Sequence, residues 1–213
     1  MAESTTEPPA NARADHDKPF SGLAVFCGSN MGASPMYREA AEHLGQVMTE
    51  RGLGLIYGGG KVGLMGVIAD TVLRGGGPVI GVIPRLLWDL EVGHDGLTEL
   101  ILVDSMHERK RIMYERSDAV IAMPGGTGTL DELFEAFTWN QLRIHHRPCG
   151  LLNIGGYWDP LIAMLDLQVE QRFLRQQQRQ LLIDDTDAGR LIDRLQALPH
   201  GGGEKWLDRV PEP

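Results

Sequence analysis

Positive charge is scarce in this chain. Of 213 residues four are lysine (Lys18, Lys61, Lys110 and Lys205), and the formal net charge is −9. No lysine-arginine block occurs, so no broad surface for nucleic acid or an acidic membrane is expected. Cysteine is equally sparse: Cys27 and Cys149, each inside an apolar, strand-like run. They form neither a disulfide framework nor a metal-ligand spacing, which points to a reducing cytoplasm. No apolar run reaches membrane-spanning length, and the N-terminus lacks the charged-then-apolar order of a secretion signal. What remains, 42% hydrophobic and 23% charged, suits one soluble globular domain able to bury a core without staples.

Residues 1–18, rich in Glu, Thr, Pro, Ala and Asp, lack any apolar period and read as a disordered tail; residues 199–213, with Gly201-Gly202-Gly203, read as a second tail. Between them, residues 19–198 alternate short apolar runs with helical patterns. The runs fall at Leu23–Cys27, Gly54–Tyr57, Val79–Ile83, Leu100–Val103, Ala119–Ala122, Cys149–Asn153 and Leu181–Ile183. The helical patterns fall at Pro35–Arg51, Leu64–Arg74, Met106–Arg116, Leu130–Leu142, Trp158–Gln171 and Asp187–Leu198. Arg85 to about Gly96 reads as an irregular loop. Continuously apolar strands alternating with helices predict a single α/β domain whose doubly wound parallel sheet is covered on both faces. In such a sheet, turns at the carboxyl ends of the strands share one ligand-binding rim.

The stretch Met123-Pro124-Gly125-Gly126-Thr127-Gly128-Thr129-Leu130-Asp131-Glu132 lies between one such run and one such helix. Its glycines let backbone amides approach a ligand closely, and free amides at a helix start suit a phosphate. Glu132 then stands in the first helical turn, at the lip of an anion cradle. The same letters also fit a capping box, with Thr129 as cap and Glu132 bonding back to it. Both readings can hold together, although capping alone does not require three glycines.

A second glycine turn, Gly58-Gly59-Gly60 with Gly63, fits the G-x-G-x-x-G dinucleotide fingerprint. The next strand ends Val82-Ile83-Pro84-Arg85, without the carboxylate that would hold an NAD ribose. No G-x-x-x-x-G-K-[ST] occurs, so a P-loop NTPase is not expected. The densest basic cluster near the rim is Met106-His107-Glu108-Arg109-Lys110-Arg111. There Arg109 offers a bidentate grip and Lys110 a point charge; the alternative is a solvated helix face with Glu108 as internal partner. His145-His146 lacks companion ligands and reads as surface loop rather than metal site.

Met106-x-x-Arg109-Lys110 followed by Pro124-Gly125-Gly126-x-Gly128-Thr129-x-x-Glu132 resembles the LONELY GUY family, long mislabelled as lysine decarboxylases. Supporting matches are Phe26-Cys27-Gly28-Ser29, Tyr57-Gly58-Gly59-Gly60, Gly63-Leu64-Met65-Gly66, Thr138-Trp139-Asn140-Gln141-Leu142 and Gly150-Leu151-Leu152-Asn153, so the likeness spans about Leu23 to Leu198. The resemblance implies a Rossmann-like fold, a homodimer, and hydrolysis of cytokinin riboside 5′-monophosphates to free base and ribose 5-phosphate. It implies Arg109 and Glu132 as catalytic residues. Around the substrate it implies Lys110, Gly125, Gly126, Thr127, Gly128, Thr129, Thr138 and Glu91, with Gly28, Ser29, Gly59 and Gly60 on the same rim. Arg143 and Arg172 stand where the family commonly has glycine, and the loop around Glu91 departs from the usual one, which leaves base preference open.

The chemistry agrees with the residues. An oxocarbenium-like state is stabilised by a nearby carboxylate that also positions or deprotonates water. Anchoring the phosphate lets remote binding energy orient the reacting carbon. No metal or redox cofactor is required. Lysine decarboxylation would need pyridoxal phosphate and a Schiff-base lysine. A nucleotide or molybdenum-cofactor carrier of the same fold, and a plain AMP nucleosidase, are the alternatives.

Overall fold

The computed structural model describes residues 20–88 and 93–198. Both tails, and Glu91 with its neighbours, lie outside the described residues. Seven parallel strands form one sheet in the order β4-β3-β2-β1-β5-β6-β7: β1 (Gly22–Phe26), β2 (Gly54–Tyr57), β3 (Val79–Pro84), β4 (Glu99–Val103), β5 (Ala119–Ala122), β6 (Cys149–Leu152) and β7 (Leu182–Asp185). Each expected strand is present to within two residues. The sheet is the doubly wound, Rossmann-like α/β arrangement, and its strand order reverses direction between β1 and β5.

Alternate residues of each strand feed two cores. Leu23, Val25, Leu55, Tyr57 and Ile121 pack under α1 (Pro35–Glu50), α2 (Gly63–Arg74) and α8 (Ala188–Ala197). Ala24, Phe26, Ile56, Val82, Val120 and Ala122 pack under α4 (Met106–Glu115), α5 (Thr127–Gln141) and α6 (Asp159–Glu170). Because both faces are covered, no strand needs a polar side, and the sequence shows unbroken apolar runs rather than alternation. Helix starts follow their caps. Ser34 caps α1 ahead of Pro35, whose missing amide costs nothing at that position, and Ser105 caps α4 by accepting from Glu108 N at 3.1 Å.

Three expectations are corrected. The helix after the β5 turn begins at Thr127, three residues before the apolar period does. Gly126 is its N-cap, in an extended conformation (φ −88°, ψ −160°), and Leu130 N donates to Gly126 O at 3.2 Å. Thr129 therefore lies inside the helix and Glu132 in its second turn, so the capping box does not form. Thr-Gly-Thr has poor helix propensity, and tertiary packing of the buried Thr129 overrides it. Second, Arg85 to Trp88 make one helical turn, α3, where a loop was expected. Third, His145 is buried against Tyr114 and Trp139 at ring separations of 5.5 and 6.3 Å, while His146 is exposed. Burial first, then the charges of Arg147 and His146, depress the His145 pKa to about 4. A short helix α7 (Gln176–Arg179) and a 3-10 turn at Ile154–Gly156 carried no sequence signal strong enough to be placed.

Candidate active site

The turns after β1, β2 and β5 meet at the sheet's switch point. Gly28 N donates to Pro124 O at 3.1 Å, and Leu64 N donates to Gly28 O at 3.0 Å, so the β1 turn is sewn to both of the others. Gly63 has φ +62° and lies so close to this turn that a β-carbon there would sit 2.2 Å from the Ser29 carbonyl carbon. Gly60 bridges to Gly93. These contacts gather Gly28, Ser29, Gly59, Gly60 and Gly125 to Thr129 on one rim.

Helix α4 passes beneath the rim and delivers Arg109. The surface-face alternative for this cluster is overturned: Arg109 is 5% exposed and Lys110 4%. Glu108, the expected internal partner of the basic side chains, instead accepts from Asp104 N at 3.1 Å, at the start of the helix. Arg109 Nη2 lies 3.4 Å from Gly58 O and 3.6 Å from Glu132 Oε1. A β-carbon on Gly58 would come within 2.0 Å of Nη2, so the absent side chain is the seat of the guanidinium. Arg109 Nε is buried with no hydrogen-bond partner among the described residues. Burial, and then the Glu132 charge, push the Cys27 thiol well above its ordinary pKa, leaving it an inert neighbour of the pair.

Glu132 is held from behind. The Tyr114 hydroxyl donates to its backbone carbonyl at 2.8 Å. Lys110 spans α4 and α5, with its ammonium on Asp131 Oδ2 at 3.1 Å and on Glu135 Oε2. Burial would lower the Lys110 pKa, but the hydrogen bonds to Glu135 and Asp131 outweigh it and raise it overall. Lys110 is thus a clamp between the two helices that carry Arg109 and Glu132, and its charge is already matched. The free point charge expected from the sequence is not what the structure provides.

The cradle has an open side. Gly126, Thr127 and Gly128 are exposed, and β-carbons built at Gly126 and Gly128 would meet nothing within 4 Å. Gly125 is the reverse: a β-carbon there would strike Thr129 Oγ1 at 2.2 Å. The first turn of a fifteen-residue helix is therefore exposed beside a buried arginine-glutamate pair, and the amides of such a turn have no partner within their own helix. Thr138 stands about 16 Å further along α5 than Thr127, at 1.5 Å per residue. The two nevertheless line one open groove of about 480 Å³, together with Leu130, Asp131, Phe134, Glu135 and Trp139. Glu91 falls outside the described residues.

Three groups at the rim escaped the sequence reading. Tyr114 was hidden as one more apolar helical position. His94 Nε2 pairs with Asp70 Oδ1 at 3.0 Å while His94 N donates to Gly59 O at 3.1 Å, a tie across unrelated segments. The Tyr157 hydroxyl donates to Gly125 O at 2.5 Å. Here the pair Gly155-Gly156 before two aromatic residues was a usable signal. Among the described residues no group of three or more His, Cys, Asp or Glu could hold a metal ion, and no helix is long and apolar enough to cross a membrane.

Comparison with known proteins adds to this geometry. A family model described as "Possible lysine decarboxylase" matches residues 65–195. The chain is 47% identical over 177 residues to "Probable cytokinin riboside 5′-monophosphate phosphoribohydrolase LOGL1" of Oryza sativa subsp. japonica, covering 83% of this chain and 79% of that one. It is 42% identical over 194 residues to "Cytokinin riboside 5′-monophosphate phosphoribohydrolase LOG" of the same organism, covering 90% and 80%. Among solved structures, the molybdenum cofactor binding protein of Rippkaea orientalis superposes with a TM-score of 0.61 at 24% identity, over 83% of this chain and 96% of that one. At that identity the likeness is one of fold.

Proposed function

The chain belongs to the LONELY GUY family, the group carried under the lysine decarboxylase description, and from that membership we propose that it is a cytokinin riboside 5′-monophosphate phosphoribohydrolase. It hydrolyses the N-glycosidic bond of N6-modified adenosine 5′-monophosphates, releasing the cytokinin base and ribose 5-phosphate. The observation that carries the reading is the buried Arg109–Glu132 pair, 3.6 Å apart, beside the open amide cradle of Gly126 to Thr129.

In this proposal the 5′-phosphate sits on the cradle amides at the positive end of α5, and the ribose reaches toward Glu132. As the bond to the base lengthens, positive charge grows on the sugar ring. The Glu132 carboxylate stabilises that charge and accepts a proton from the attacking water, while the base, leaving with the bond's electron pair, takes up a proton from solvent. Water is thus divided between sugar and base, and Glu132 returns its proton to solvent afterwards. Arg109 is the counter-charge that fixes the carboxylate and steadies the sugar-phosphate. Lys110 acts from behind, through the α4–α5 clamp. Glu91 stays in the proposed substrate set on the resemblance alone, and Thr138 on the resemblance and on the groove it shares with Thr127.

Decarboxylation of lysine does not fit the described residues. It would require a lysine free to bond pyridoxal phosphate, and Lys110 is engaged by two carboxylates while Lys61 lies exposed on the loop before α2. The protein is proposed to be cytoplasmic, from its reduced, buried cysteines. It is also proposed to be a homodimer. Supporting that, α5 and the residues after it leave Phe134, Leu142 and Ile144 exposed at 36%, 54% and 62% along one helix and its end.

The reading is tested by incubating the purified protein with N6-isopentenyladenosine 5′-monophosphate and with AMP, then separating the products by liquid chromatography. Free isopentenyladenine is expected, in excess over adenine. Stoichiometric nucleotide binding with no base released would make the protein a carrier and overturn the proposal.

A further inference from the structure

From the rim we infer that Tyr157 is a positioning residue for the phosphate cradle, holding its peptide groups in the orientation that receives the 5′-phosphate. This rests on the reading above that Gly126 to Thr129 bind that phosphate. The cradle faces a conflict of requirements. Glycine at positions 126 and 128 leaves the backbone open to a ligand, but glycine there and at 125 also gives that backbone the widest choice of conformations. Amides must point one way before an anion arrives, or ordering them subtracts from its affinity. Something outside the loop has to fix them.

Two anchors do so. The Pro124 carbonyl accepts from Gly28 N at 3.1 Å, and the Gly125 carbonyl accepts from the Tyr157 hydroxyl at 2.5 Å. In a planar trans peptide the carbonyl and the following N–H point in opposite directions. Holding the Gly125 oxygen toward Tyr157 therefore fixes the Gly126 amide, at the N-cap of α5, on the other side. The first anchor comes from the end of β1, the second from the loop after β6, so the two peptides that lead into the helix are held by separate elements.

Tyr157 is itself placed with care. Gly155 and Gly156 turn the chain with φ +62° and +73°. Asn153 then ties the turn down, its Oδ1 accepting from Trp158 N at 2.8 Å and its Nδ2 donating to Asp159 Oδ1 at 2.7 Å. The Tyr157 ring meets Tyr37 and Trp158 edge to face, at centroid distances of 6.0 and 4.9 Å. The hydroxyl is thus presented to the Gly125 carbonyl by a ring held between two aromatic neighbours. Since 40% of the residue is exposed, the ring is not a core element whose alteration would unfold the chain.

The test is Tyr157→Phe, which removes the hydroxyl and keeps the ring contacts. Binding of ribose 5-phosphate and of N6-isopentenyladenosine is measured by calorimetry, and KM and kcat by release of base from the nucleotide. The expected result is a rise of roughly three- to tenfold in both KM and the ribose 5-phosphate Kd, the worth of one hydrogen bond. The kcat value stays within about twofold, and the Kd for the phosphate-free nucleoside does not move. A purely structural role would weaken nucleoside and nucleotide alike. Unchanged Kd and KM, or equal losses with and without phosphate, overturn the inference while leaving the cradle intact. If instead the unaltered protein binds the nucleotide no better than the nucleoside, the phosphate reading itself fails, and this inference with it.

Discussion

Two glycine-rich turns stand side by side on the rim, and their glycines serve opposite ends. In the turn after β2 the spaces beside Gly58, Gly59, Gly63 and Gly66 are filled by the protein. The Arg109 guanidinium occupies the space beside Gly58, the Ser29 backbone presses on Gly63, and the Lys61 carbonyl lies 2.0 Å from where a Gly66 β-carbon would be. In the turn after β5 the gaps beside Gly126 and Gly128 hold nothing within 4 Å. The first turn is a packing device that seats an arginine; the second is built to be approached. The dinucleotide fingerprint matches the closed turn, which shows why that pattern is weak by itself: glycine spacing reports close approach, without saying whether protein or ligand approaches.

Substitutions can separate the two uses of glycine. The largest effect is expected at Gly63, where alanine would combine a left-handed φ of +62° with a clash against Ser29 backbone. Gly63→Ala should cost on the order of 3 kcal/mol in urea denaturation. Gly58→Ala places its methyl against the movable end of Arg109, so the guanidinium swings off Glu132. Its turnover should fall roughly a hundredfold while unfolding remains cooperative, the scale of a displaced catalytic charge. Gly128→Ala tests the open turn. A helical alanine in empty space should leave stability equal or higher, yet raise KM about tenfold, because the methyl stands over an amide meant for the phosphate. Equal behaviour of Gly63→Ala and Gly128→Ala in both assays would erase the contrast. The smallest effects belong to Arg143 and Arg172, which hold φ of +58° and +64° at helix ends where glycine is the usual residue. Arg143→Gly and Arg172→Gly should each raise stability by about 1 kcal/mol, with turnover unchanged.

Those two arginines also show how the sequence could be read. Set beside the family pattern they stood out as missing glycines, and both fall on left-handed backbone. The strands were legible because each is a short, continuously apolar run, and Ala119 to Ala122 and Gly54 to Tyr57 match to the residue. The start of α5 was not, since Thr127, Gly128 and Thr129 look like turn by propensity and become helix only because Thr129 is buried beneath Gly125. Lys110 read as a free cation, because its partners Asp131 and Glu135 lie more than twenty residues away and are fixed only by the crossing of α4 and α5. Tyr157 lay further still from the motif it supports. Local pattern carried the sheet and the glycine turns, while side-chain partners from distant segments had to come from the fold.

The central claim is that Glu132 acts as a charge facing the substrate and not as a structural end to a helix. With Gly126 as the N-cap, glutamine at position 132 disturbs no cap, but it can neither balance an oxocarbenium-like state nor accept a proton from water. The direct measurement is therefore Glu132→Gln, assayed for base release from N6-isopentenyladenosine 5′-monophosphate and for melting temperature. The account predicts turnover lower by roughly a hundredfold or more, nucleotide binding retained or slightly tighter, and a melting temperature no higher than that of the unaltered protein, because the buried Arg109 guanidinium loses its counter-charge. Persistent turnover in a folded Glu132→Gln protein would contradict it.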